Sequence, residues 1–237
     1  MAALERSLAG LRQRIEGACA RAGRPPQSVR LVAVTKGVGL EAIRQAHALG
    51  LRDLGENRAE EAAPKIEALA DLDGLRWHMI GHIQSRKARL VAPAFALVHS
   101  VERMKIADTL EREAARSGRR LPVLLQVNLT GEATKQGWSA LDAAGRAAFA
   151  AEAAAIAALP HLELRGLMTM APWAADAETV RPVFRALARL REGLAGLLPA
   201  GGGELSMGMT DDFEVAVEEG ATLLRIGRAL FGERTPD

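Results

Sequence analysis

Lys36 ends the apolar run LVAVTK, so its ammonium projects from the end of a β-type segment. A lysine desolvated in such a place offers a neutral, nucleophilic amine for Schiff-base chemistry, whereas an isolated strand-end lysine simply snorkels to water. Other polar clusters follow similar apolar runs. Asn57 closes GEN and could cap the next helix. His78 and His82 stand four apart in HMIGH, which is metal spacing on a helix, but here they straddle a strand end and a glycine; hydrogen-bonded histidines are the better reading than zinc ligands. Ser206 to Thr210, SMGMT, is a small-residue loop running into Asp211 and Asp212, a form that binds anions or simply starts a helix. Arg225, Gly227 and Arg228 lie in LRIGRALFG. Gly37, Gly39 and Ala42 give G-x-G-x-x-A, a weak match to a dinucleotide fingerprint because a charged lysine occupies the strand-to-turn junction.

These residues need a scaffold that brings strand ends together. An amphipathic helix over about 3–22 opens the chain, and β-type runs follow at 31–35, 52–55, 76–80, 96–100, 123–129, 164–168, 204–207 and 223–226. Most of the intervals carry helical periodicity that stops near glycine or proline. Eight strands alternating with helices over 237 residues match an α/β fold, a single (β/α)8 TIM-type barrel with an extra N-terminal helix; a doubly wound sheet is the alternative. The PAGGG patch at 199–203 is too short to be a linker, so 1–237 reads as one domain. In such a barrel the strand ends converge on one mouth, and phosphate sites favour the loops after strands seven and eight. Lys36, Asn57, the two histidines, Asn128, Met168, Ser206 and Arg225 would meet there.

Composition narrows the function. Thirty-one basic against 29 acidic residues leave +2, and eight aromatics (five Phe, three Trp) include no Tyr, so neither a basic stripe nor a base-stacking platform for nucleic acid is indicated. No apolar run is long enough for a membrane helix, and the first residues lack the pattern of a secretory signal. Lone Cys19 fits a reducing compartment, so the cytoplasm is the expected location. No long heptad or aromatic cluster advertises an interface, which makes a monomer the expectation.

Taken in order over nearly the whole chain, LVAVTK, GEN, WHMIGHIQSRK (Trp77 to Lys87), RGLMTM from Arg165, LSMGMTDDFEVAVEEGAT from Leu205 and LRIGRALFG from Leu224 resemble the pyridoxal phosphate homeostasis protein family. The resemblance implies a barrel similar to that of alanine racemase, with pyridoxal 5′-phosphate (PLP) held as an internal aldimine on Lys36. It further implies that Ser206 and Met207, with the backbone of Gly227 and Arg228, hold the cofactor phosphate. Arg225 would face the pyridine nitrogen, and Asn57 and Met168 would line the ring pocket. Arg86 departs from the family pattern, which has Asn before the lysine; the position lies past a strand end and bears on surface recognition more than on the cofactor. A guanidinium against the ring nitrogen disfavours its protonation and makes the ring a poorer electron sink. No Tyr is present to act as a racemase's second base, and no second domain closes over a substrate. The implied function is therefore a PLP carrier that buffers the cofactor or delivers it to apo-enzymes, without efficient turnover. A single-domain PLP enzyme such as a racemase is the alternative, and a nicotinamide oxidoreductase is a distant third.

Overall fold

The computed structural model describes residues 1–132, 134–172 and 176–232. In chain order the elements are α1 (Ala2–Arg21), β1 (Arg30–Val34), α2 (Leu40–Ala48), β2 (Asp53–Glu56), α3 (Ala59–Ala68), β3 (Arg76–Met79), α4 (Ala88–Val91), β4 (Leu97–Val101), α5 (Met104–Arg116), β5 (Leu121–Asn128) and β6 (Trp138–Ser139). They continue with α6 (Ala143–Ala157), β7 (Leu162–Met168), α7 (Arg181–Glu192), β8 (Glu204–Ser206), α8 (Phe213–Glu218), β9 (Leu223–Ile226) and α9 (Arg228–Phe231).

Eight of the nine strands among the described residues pair in the order β4-β3-β2-β1-β9-β8-β7-β5, and β4 also pairs with β5, which closes the sheet into a barrel. Every pairing is parallel, so each connection must cross outside the sheet, where the helices lie. Closure rules out the doubly wound alternative. All eight sequence-derived strands are present, with ends that match or differ by a residue or two. The two-residue β6 was not foreseen; it adds to β5 outside the closed ring, pairing Val127 with Trp138. The glycines of the weak dinucleotide match make an ordinary turn: Gly37 needs its left-handed φ of 66°, and Gly39 precedes the first residue of α2.

Burial falls into two layers. The main core lies between the strands and the helices. A separate small cluster, Val32, Leu97, Leu124, Met168 and Leu223, fills part of the barrel's inside. The rest of the interior is polar, with Asp53, His78, His99, Ser206 and Arg225 all buried. The N-terminal helix uses Leu4, Leu8, Leu11 and Ile15, one stripe at helical spacing, as its buried face. It packs against α8 and α9, and Arg14 pairs with Glu214 while its guanidinium lies 4.5 Å from the Phe213 ring centroid.

Candidate functional site

Lys36 stands one residue beyond the end of β1, after Thr35, and is exposed at the C-terminal mouth of the barrel. The burial foreseen for it is therefore not supplied by the protein, because strand β1 ends at Val34 and burial along it stops at Thr35, one residue short of the lysine. What lies below is firmly tied. Thr35 Oγ1 donates to Glu56 Oε1 at 2.7 Å, and Lys65 Nζ donates to the same oxygen at 2.8 Å and to the Thr35 carbonyl at 2.7 Å. Glu56 is fully buried. The Lys65 amine, coming from α3, is thus committed to holding the first two strand ends together.

Asn57 follows β2, and its backbone rests against Gly81, where a Cβ would lie 2.3 Å from the Asn57 carbonyl oxygen. Only glycine lets the chain after β3 pass this close, which fixes where Asn57 stands. On the far side, the loop after β8 and the turn after β9 are stitched into one lip. Arg228 donates to both carboxylate oxygens of Asp211, and the Ala229 N–H donates to Thr210 Oγ1 at 3.3 Å.

Between these walls opens a cavity of about 690 Å³ bordered by Lys36, Asn57, Arg225, Gly227 and Arg228. Its apolar surface comes from Val34, Ile80, Met170 and Met209, and its further polar groups are His82, Gln126, Gln136, Thr210 and Asp211. Arg225 is buried, donating to Ser206 Oγ at 2.6 Å and to the Thr169 carbonyl at 2.9 Å. Burial pushes its guanidinium down to about 10, which leaves it charged at neutral pH. Ser206 Oγ also lies 2.7 Å from His99 Nδ1.

Three residues read as cofactor contacts do not border the cavity. Met168 belongs to the apolar cluster inside the barrel, below the mouth. Ser206 is fully buried with its hydroxyl engaged by both His99 and Arg225. Met207 packs in the main core, because strand alternation that points Ser206 inward turns its neighbour outward. Asn128, also expected at the mouth, uses its amide to close its own loop on the Glu132 and Lys135 carbonyls. His78 is sealed inside the barrel, 2.9 Å from Asp53 and 2.9 Å from His99. His82 is exposed, with Nδ1 3.0 Å from Glu102 Oε1. His78 is hydrogen-bonded, as anticipated, and His82 stands in close contact with Glu102; no group of metal-ligating side chains occurs among the described residues.

The site now has a shape that known proteins can be compared with. The family model for the alanine racemase N-terminal domain matches residues 7–235. The pyridoxal phosphate homeostasis protein of Pseudomonas aeruginosa is 46% identical over 234 residues, covering 99% of this chain and 97% of the relative. That of Aquifex aeolicus is 42% identical over 234 residues, covering 99% of both. The chain belongs to the pyridoxal phosphate homeostasis protein family. Among solved structures, PipY of Synechococcus elongatus PCC7942 with PLP bound superposes with a TM-score of 0.80 at 39% identity, over 97% of this chain and all of that one. An alanine racemase of Clostridium difficile 630 gives a TM-score of 0.66 at 14% identity, over 95% of this chain and 56% of its own, and so shows a shared fold alone. In this member of the pyridoxal phosphate homeostasis protein family, no described helix is long and apolar enough to cross a membrane.

Proposed function

We propose that the protein binds pyridoxal 5′-phosphate in the mouth cavity, attached covalently to the Lys36 amine, and buffers or delivers it without efficient turnover of its own. The observation that carries this reading is the pairing of an exposed primary amine with a buried guanidinium across one cavity of about 690 Å³. That volume suits a small aromatic phosphate ester. The donor set suits it too: an amine for an aldehyde carbon, a fixed cation for a ring nitrogen, and Met170 and Met209 as polarizable walls for a planar ring. The PLP held by PipY and the names of the relatives support the same ligand.

When bound, the cofactor supplies an electrophilic aldehyde and a ring that acts as an electron sink if its nitrogen is protonated. Arg225 would oppose that protonation by placing a fixed positive charge beside the nitrogen. Asn57, held by Gly81, borders the ring side of the cavity. The lip of Thr210, Gly227 and Arg228 is where we place the phosphate, with Arg228 offsetting the Asp211 charge. Ser206 would then act from behind, as a support for Arg225, and Met168 and Met207, which do not border the cavity, would not touch the ligand.

A carrier role is favoured over racemisation because a racemase needs an acid/base on each cofactor face. The chain has no Tyr, and His78 is sealed away. His82 is the imidazole that borders the cavity among the described residues, so it is the group that the enzyme reading would have to use. We further propose that residues 1–237 work as one domain, as a cytoplasmic monomer that hands PLP to apo-enzymes. The test is to titrate purified protein with PLP and follow the visible absorption of the lysine-linked cofactor. Wild type should develop the band and Lys36→Ala should not; a band of equal strength in the variant contradicts the proposal.

A further inference from the structure

The inside of the barrel carries an unbroken chain of hydrogen bonds that ends on Arg225. At the end opposite the mouth, Arg76 donates from Nε to Asp53 Oδ1 at 2.7 Å and from Nη2 to Oδ2 at 2.6 Å. His78 Nε2 lies 2.9 Å from Asp53 Oδ1, and His78 Nδ1 lies 2.9 Å from His99 Nε2. His99 Nδ1 lies 2.7 Å from Ser206 Oγ, and Arg225 Nη1 donates to that oxygen at 2.6 Å. Asp53, His78, His99, Ser206 and Arg225 come from five different strands, and none is more than 6% exposed.

The chemistry of the ends sets the direction of every link. Arg225 can only donate, so Ser206 Oγ accepts from it and turns its own proton toward His99 Nδ1. His99, accepting there, carries its proton on Nε2 and donates to His78 Nδ1. His78 then donates from Nε2 to Asp53. Burial would raise the Asp53 carboxyl, but hydrogen bonds from Arg76 and His78 outweigh it and hold it well below the usual carboxylate range, so it is an acceptor only. Reversing the links would require an added proton on the histidine pair, with Ser206 accepting from both sides. That proton would sit between Arg76 and Arg225, with Arg30 nearby and the Asp53 carboxylate already held by Arg76. Burial first, and with it the charges of Arg225 and Arg30, keeps His99 well below the ordinary histidine range.

We propose that Asp53, His78, His99 and Ser206 are positioning residues: a one-way hydrogen-bonded chain that pins the Arg225 guanidinium at the mouth and couples it to the Asp53–Arg76 pair at the opposite end of the barrel. The chain itself is independent of any ligand; what Arg225 is pinned to face rests on the PLP reading. One consequence is that the Ser206 proton points inward and is not offered to an anion in the mouth.

The first test uses the unliganded wild-type protein. Long-range nitrogen–proton NMR of the imidazoles near neutral pH should show His78 and His99 both protonated at Nε2 and bare at Nδ1, with His99 unchanged between about pH 5.5 and 8, the range in which an ordinary histidine titrates. A proton on Nδ1 of either ring, or titration of His99 in that interval, overturns the chain. The second test compares Ser206→Ala with Ser206→Thr. The alanine variant should retain PLP about tenfold more weakly, the equivalent of one lost hydrogen bond to a charged group, and should shift the pH midpoint of the bound cofactor's absorption. The threonine variant, which keeps the hydroxyl, should restore both. Wild-type retention and midpoint in the alanine variant would overturn the positioning role. Failure of the wild type to develop the cofactor band would instead defeat the PLP reading and leave the NMR result to decide the chain.

Discussion

Lys65→Met should cost far more stability than its place on an outer helix suggests. The Lys65 side chain is 16% exposed and Glu56 is fully buried, so the variant leaves a carboxylate inside the protein with Thr35 Oγ1 as its remaining donor from the Lys65–Thr35 cluster. Breaking one side of a buried pair costs about 3 to 5 kcal/mol, and the partial access of water to Lys65 places this case near 3. The Thr35 carbonyl loses a donor as well, immediately before Lys36. Urea unfolding should therefore show a lower midpoint with an unchanged slope. Removing the stranded charge should recover much of the loss, so Glu56→Gln combined with Lys65→Met should sit roughly 2 kcal/mol above the single variant, within the range reported for coupled neighbours. A loss under about 1 kcal/mol in Lys65→Met, or a double variant no more stable than the single one, would refute the idea that this buried pair fastens the base of the lysine loop.

Asp53 makes a prediction about acid. Its folded-state value is depressed, so the stability it adds is fully present above the ordinary carboxylate value near 4 and is lost as pH falls below it; Asp53→Asn should flatten the acid limb of stability against pH, and an unchanged limb would count against the Asp53–Arg76–His78 contacts. At Gly81 a Cβ would overlap the Asn57 backbone at 2.3 Å, so Gly81→Ala should cost about 1 to 3 kcal/mol and weaken PLP retention. By contrast Gly10→Ala, in α1 with nothing within 4 Å, should be stabilising by up to about 1 kcal/mol. Incubated with alanine and PLP in heavy water, the protein should show at most trace α-proton exchange. Turnover of about 1 per second or faster would promote His82 to a catalytic base and sink the carrier reading.

Much of this was legible in the sequence for a physical reason. Parallel strands buried on both sides leave strong apolar runs, and in a barrel their ends point to one mouth, so Lys36, Asn57, Arg225, Gly227 and Arg228 could be gathered without seeing the fold. The helix Ala143–Ala157 was not singled out because alanine covers every face; Phe149, Ala153 and Ile156 are its buried residues, and they make no apolar stripe against a polar background. Ser206 and Met207 were paired as phosphate contacts by the family resemblance, whereas the two-residue alternation of a strand sends such neighbours to opposite sides of the sheet. The Asp53–His78–His99–Ser206 chain left no signal at all. Those residues are 21 to 107 positions apart along their successive contacts, and the closure of the barrel, not spacing along the chain, makes them neighbours.

Lys36 is the residue proposed to carry the cofactor. Reduction of the PLP-loaded protein with borohydride fixes the cofactor to its lysine, and peptide mapping then identifies that lysine. The pyridoxyl group should be found on Lys36, whose amine stands exposed at the cavity, and not on Lys65, whose amine is held by Glu56 and Thr35, or on Lys135, which pairs with Glu132 at 2.8 Å. A label on Lys65 or Lys135 with Lys36 unmodified would contradict the account.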